Sequence, residues 1–135
     1  MASVYSSSKF ALEGWSEGLR YELGSLGIRV KIIEPGGAVK TGFVNRMGGE
    51  SAGLKLIDNY IPFLEQIGKF YAGMASTSDV DAIERVVAAI FEAATDNSDR
   101  LRYTPTTDIL PLLEARRNTS EEKYLELTNN LFVKK

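Results

Sequence analysis

Histidine and cysteine are both absent from this 135-residue chain, and the two absences remove disulfides, Cys/His zinc sites and every triad that turns on an imidazole. General acid and base work therefore falls to Tyr, Lys, Asp and Glu. No apolar run approaches the roughly 18 residues of a membrane span, and the N-terminus lacks the apolar core of a secretory signal, so a cytoplasmic protein is expected. Lys and Arg number 16 against 18 Asp and Glu, for a net charge of −2, and they are scattered. Nothing resembles the basic stripe that neutralises nucleic-acid phosphates, so nucleic acid is not an expected partner. No metal-ligand cluster is evident either.

What is present suits one globular domain: 44% of the residues are hydrophobic, enough for a modest core. From about Ser6 to Leu26, the apolar residues Val4, Ala11, Leu12, Trp15, Leu19, Leu23 and Leu26 recur with the spacing of one amphipathic helix, which Gly27 should end. "IRVKIIEPGG" then alternates Ile28, Val30 and Ile32 with Arg29 and Lys31, predicting a strand over 28–34 closed by a loop at Pro35, Gly36 and Gly37. Residues 43–74 read as helical, with a break or a new start at Pro62. Ser78 is placed to cap the next helix, whose buried stripe is predicted as Val80, Ile83, Val87, Ile90 and Ala94. "RLRYTP" is a second short strand with Leu101 and Tyr103 on one side, followed by helices at about 108–117 and 120–132. Strand, crossover helix and strand make a parallel unit, and two parallel strands need further cover on their faces and edges. Apolar surface without a partner is therefore expected.

The segment "VYSSSKF" carries the chemistry. Tyr5 and Lys9 stand four apart at the start of the first helix, on the flank where its apolar stripe meets solvent. A phenol with an ordinary pKa of about 10 is a poor proton donor or acceptor at neutral pH. A neighbouring ammonium favours the phenolate and so suits a tyrosine to acid–base work. The alternative is a half-buried aromatic beside a solvated charge.

Context decides between them. "YSSSKFALEGWSEGLRYEL", followed by "GIRVKIIEPGG" and "KTGF", closely resembles the second half of the short-chain dehydrogenase/reductase family, in which a Tyr-x-x-x-Lys motif opens a helix and a Pro-Gly loop follows the next strand. The resemblance is dense over residues 3–43 and looser over 76–132.

It implies an α/β fold: the C-terminal part of a Rossmann-like, doubly wound parallel sheet, with two parallel strands and flanking helices. It further implies that Tyr5 exchanges a proton with the substrate oxygen, while Lys9 holds the nicotinamide ribose and stabilises the phenolate. Pro35, Gly36, Val39 and Thr41 would join Tyr5 and Lys9 in binding NAD or NADP. Thr41 falls one residue later than the commonest Pro-Gly-x-x-x-Thr spacing. No glycine has another two positions on, so the family's Gly-x-Gly nucleotide turn cannot be written anywhere in the chain. The 135 residues are accordingly expected to form one incomplete domain: the catalytic half, with the nucleotide-binding half absent and an inserted segment at 43–75 as substrate lid.

In that insertion Phe43, Val44, Met47, Leu54, Ile57, Ile61, Phe63 and Phe70 suit either a hydrophobic carbonyl or alcohol substrate or an ordinary helix core. Gly14 and Gly18, near Phe10 and Tyr21, lie opposite the core face and would allow close approach of a second copy, so a homo-oligomer is expected of the full-length form. The leading expectation is an NAD(P)-dependent oxidoreductase, inactive as an isolated piece. The alternative is a non-catalytic module that pairs with a full-length homologue.

Overall fold

The computed structural model describes residues 2–37, 42, 46, 49, 53, 55–76 and 81–133. Helix α1 spans Ala2–Gly24, so Tyr5 and Lys9 lie inside it. Its end follows the sequence: Gly27 takes a φ of 72°, and the Ile28 amide donates to the Leu23 carbonyl at 3.2 Å. That six-residue closure is one a left-handed glycine permits.

Strand β1 covers Ile32–Ile33 and strand β2 Arg102–Tyr103. They pair in parallel, Ile32 opposite Arg102 and Ile33 opposite Tyr103. The predicted strand over 28–34 is thus shortened. Its ladder begins where the Ile32 amide reaches the Leu101 carbonyl at 2.7 Å and ends with Glu34 on Tyr103 at 2.8 Å. Among the described residues, 28–31 has no neighbouring strand to complete a ladder.

Between the strands come a 3-10 turn at Asp58–Tyr60, helix α2 (Ile61–Ser76) and helix α3 (Ala82–Thr95). Pro62 sits in the first turn of α2, where its missing N–H costs nothing. Helix α4 (Leu110–Asn118) and helix α5 (Glu121–Phe132) follow β2. Ser120 caps α5 by accepting from the Lys123 amide, and Phe132 of α5 meets Phe70 of α2 edge-on at 4.7 Å.

The core is small. Ala89 and Ala93 of α3 pack with Tyr103 of β2 and the partly buried Ile33 of β1. This overturns the predicted stripe on α3. Ala82, Ala89 and Ala93 are its buried residues, whereas Ile83, Val87 and Ile90 are exposed and Ala94 faces solvent. Alanine lets the helix axis come close to a narrow two-stranded sheet, so the small-residue face docks and the bulky one is left outside. Ser78 and Val80 lie outside the described residues; the residue preceding the helix is Asp81.

Successive strand residues point to opposite faces, so Ile32 and Arg102 face away from α3. On that side Arg102 binds Glu13 and Glu17 of α1. Helices thus cover both faces of a parallel pair, the α/β arrangement expected. The predicted core stripe of α1 is nevertheless largely outside: Leu12 is 49%, Trp15 63% and Leu26 71% exposed. The sheet is too narrow to cover them.

Candidate active site

Helix α1 is aligned by contacts at two heights. Near its end, Arg20 and Gly24 share a surface pocket with Ile28, Lys31 and Ser98, at the amino ends of the strands. Further back, Glu13 accepts from Arg102 at 2.9 Å, and Arg102 also pairs with Glu34 at 3.1 Å. The helix therefore runs antiparallel to β1. Tyr5 lies eight residues before Glu13, or about 12 Å further along the axis, which carries it toward the carboxyl ends of the strands. Ligands of open α/β sheets bind at those ends.

Tyr5 is 50% exposed, and the Lys9 ammonium lies 5.6 Å from the centre of its ring. One turn of helix is enough to bring the two together. The Ser8 hydroxyl donates to the Tyr5 carbonyl at 2.7 Å, so this serine is spent on the helix backbone.

The loop after β1 is built from both sides. Glu34 accepts from the Thr104 hydroxyl at 3.1 Å and pairs with Arg117. The Gly36 amide donates to Thr106 Oγ1 and the Gly37 amide to Asp108 Oδ2, each at 2.7 Å. A Cβ at residue 36 would collide with the Asp108 carboxylate. The Asp108 side chain thus lies close against this glycine. Val39 and Thr41 lie outside the described residues, as do Phe43, Val44, Met47 and Leu54. Thr106 and Asp108 were missed by sequence reasoning, because "TPTTD" reads as turn chemistry with no sign of which loop it meets.

Two charge clusters flank this end of the chain and its opposite. Burial alone would lower the pKa of Arg102, but the hydrogen bonds to Glu17 and Glu13 outweigh it, and the guanidinium is held above its usual value. At the amino ends of the strands, Tyr103 donates to Asp96 and accepts from the Lys31 ammonium at 2.9 Å. The Tyr103 bond, followed by those from the Ser98 amide and hydroxyl, holds the Asp96 carboxyl well below the usual carboxylate range. Desolvation acts to lower the Lys31 pKa, and the bonds to Tyr103 and Asp96 overcome it to leave a net rise. Among the described residues, no group of three or more Asp or Glu is placed to hold a metal, and no helix is long and apolar enough to cross a membrane.

A family model described as short chain dehydrogenase matches residues 1–50. An uncharacterized oxidoreductase of Schizosaccharomyces pombe is 33% identical over 109 residues, covering 80% of this chain and 42% of that protein. Estradiol 17-beta-dehydrogenase 1 of Rattus norvegicus is 33% identical over 126 residues, 91% of this chain and 36% of that protein. The uncharacterized oxidoreductase YbbO of Escherichia coli is 49% identical over 44 residues, 33% of this chain and 16% of that protein. The chain thus spans less than half the length of these curated relatives. No solved structure matches it.

Proposed function

We propose that this chain, which belongs to the short-chain dehydrogenase/reductase family, carries the proton-transfer residues of an NAD(P)-dependent oxidoreductase acting on a carbonyl or alcohol. The observation that carries the reading is the Tyr5–Lys9 pair: a half-exposed phenol with an ammonium 5.6 Å from its ring, on the end of α1 that points toward the carboxyl ends of the strands.

The donor set fits the nicotinamide end of the cofactor. Lys9 offers an exposed ammonium for ribose hydroxyls, whereas no Gly-x-Gly turn in these 135 residues offers a cradle for the pyrophosphate. The bound nicotinamide would supply or accept the hydride. In reduction Tyr5 gives its hydroxyl proton to the substrate oxygen, and in oxidation it takes that proton back. Lys9 stabilises the phenolate left between these events and keeps the ribose beside it. Pro35 and Gly36 would lie beside the nicotinamide, and the family resemblance implies that Val39 and Thr41 would join them in binding it.

The substrate is a hydrophobic ketone or secondary alcohol, a reading favoured by the exposed Ile57, Ile61 and Phe63 after the loop and by the steroid dehydrogenase among the relatives. Exposed Trp15, Val87, Ile90 and Phe91 favour a setting in which α1 and α3 pack against more protein: the dinucleotide-binding half, a second copy, or a homologue.

The test is turnover of the chain joined behind a dinucleotide-binding half, followed by nicotinamide absorbance across aliphatic and steroidal ketones. Reduction of at least one class is expected. No turnover with either nicotinamide cofactor on any ketone would refute the reading. The 135-residue polypeptide alone should bind the cofactor too weakly for calorimetry, and tight binding there would mean a differently built site.

A further inference from the structure

The turn that follows β2 reaches back to the loop that follows β1 at three alternate positions. Thr104, Thr106 and Asp108 hold Glu34, Gly36 and Gly37 respectively. Thr104 and Thr106 lie in extended chain, whose alternate side chains share one face, and Asp108 follows in the turn that leads into α4. Thr106 is 2% exposed, so its hydroxyl is committed to the Gly36 amide and has no water to turn to. Asp108 fills the space that a side chain at residue 36 would need. The loop is therefore fixed in both directions: two of its amides are drawn toward β2, and its glycine cannot be replaced without moving Asp108.

Pro35 has no N–H, and the next two amides are both engaged, so residues 35–37 present no spare amide donor to a ligand. What this stretch can offer is shape and carbonyl oxygens.

We propose that Thr106 and Asp108 are positioning residues that set the Pro35–Gly37 backbone for the nicotinamide cofactor. Neither touches the reacting atoms in this arrangement. The proposal rests on the cofactor reading of this loop given above, but the latch itself can be tested apart from it.

Amide exchange measured by mass spectrometry on a peptide spanning 33–37 of the 135-residue chain reads the latch directly. Thr106→Val keeps the shape of the side chain and deletes the acceptor, and exchange should accelerate at least about tenfold. Thr106→Ser restores the acceptor and should return exchange to near the wild-type rate, a rescue that loss of packing would not give. Asp108→Ala should accelerate exchange, whereas Asp108→Asn, which retains an acceptor oxygen, should not; both change an exposed residue and spare the core.

In the catalytically complete protein, Thr106→Val should raise KM for the cofactor about fivefold, the worth of one lost hydrogen bond, with kcat changed less. Thr106→Ser should leave KM near wild type. Equal exchange in Thr106→Val and Thr106→Ser would overturn the latch. Accelerated exchange with an unmoved cofactor KM would overturn the positioning role. Absence of nicotinamide-linked turnover in the wild type would remove the cofactor reading and that role together, while the exchange data would still decide whether the latch exists.

Discussion

Among the described residues, two tyrosine–lysine pairs have nearly the same separation, and they differ in everything else. The Lys9 ammonium lies 5.6 Å from the Tyr5 ring and the Lys31 ammonium 5.3 Å from the Tyr103 ring. Tyr103 is 1% exposed and Tyr5 50%. The Tyr103 hydroxyl is engaged by Asp96 and Lys31 and stands between the amino ends of the strands and the end of α3. Its hydroxyl already donates to a carboxylate, and no substrate can reach it. Tyr5 stands at the opposite end, on a helix tip with solvent beside it. Proximity of an ammonium to a phenol is thus not what separates a structural pair from a chemical one. Access makes the difference: one hydroxyl is sealed from solvent and the other side chain is half exposed.

The largest expected way to sharpen that contrast is Lys9→Met in the catalytically complete protein. It should lower turnover by about a hundredfold or more and weaken cofactor binding as well, since Lys9 is assigned both tasks; steady-state kinetics with a cofactor titration separates them. Removing the hydroxyl of the other pair should act on stability. Tyr103→Phe leaves Asp96 and Lys31 short of a buried partner and should cost about 1–3 kcal/mol in denaturant melts, with turnover per folded molecule unchanged.

The same cluster has a pH signature. Asp96 is held well below its ordinary 3.8 in the folded chain, so the stability it contributes is complete above about pH 4 and is lost as pH falls through the folded value. Melts at descending pH should show that loss in the wild type and a flatter curve in Asp96→Asn. The smallest effect belongs to the outer face of α3. Ile90→Ser, at a position 52% exposed, should change stability by no more than about 0.5 kcal/mol, whereas Ala93→Leu on the buried face should cost about 1–3 kcal/mol by overpacking against Tyr103.

How far these features were legible in the sequence follows from how local they are. Tyr5 and Lys9 are one helical turn apart, so a period of 3.6 was enough to pair them, and Gly27 and Pro62 mark their helix ends by backbone chemistry alone. The order of strands and helices was readable for the same reason.

The choice of α3 face was not. Both of its faces are apolar, and periodicity favours the bulkier one, while the geometry of a two-stranded sheet selects the alanines. Strand length was overread because a ladder needs a neighbour, which lies outside the segment being read. The latch was invisible for a related reason: Gly36 and Thr106 are 70 positions apart, and nothing local in "TPTTD" names its partner.

The most direct test puts the two tyrosines side by side in the catalytically complete protein, measuring turnover and cofactor affinity for Tyr5→Phe and Tyr103→Phe under conditions where both are folded. Tyr5→Phe should lose turnover by about a hundred- to ten-thousandfold with cofactor affinity and melting temperature close to wild type, and Tyr103→Phe should do the reverse, melting earlier and turning over normally. Near-normal turnover in Tyr5→Phe would contradict the assignment of the proton to that hydroxyl.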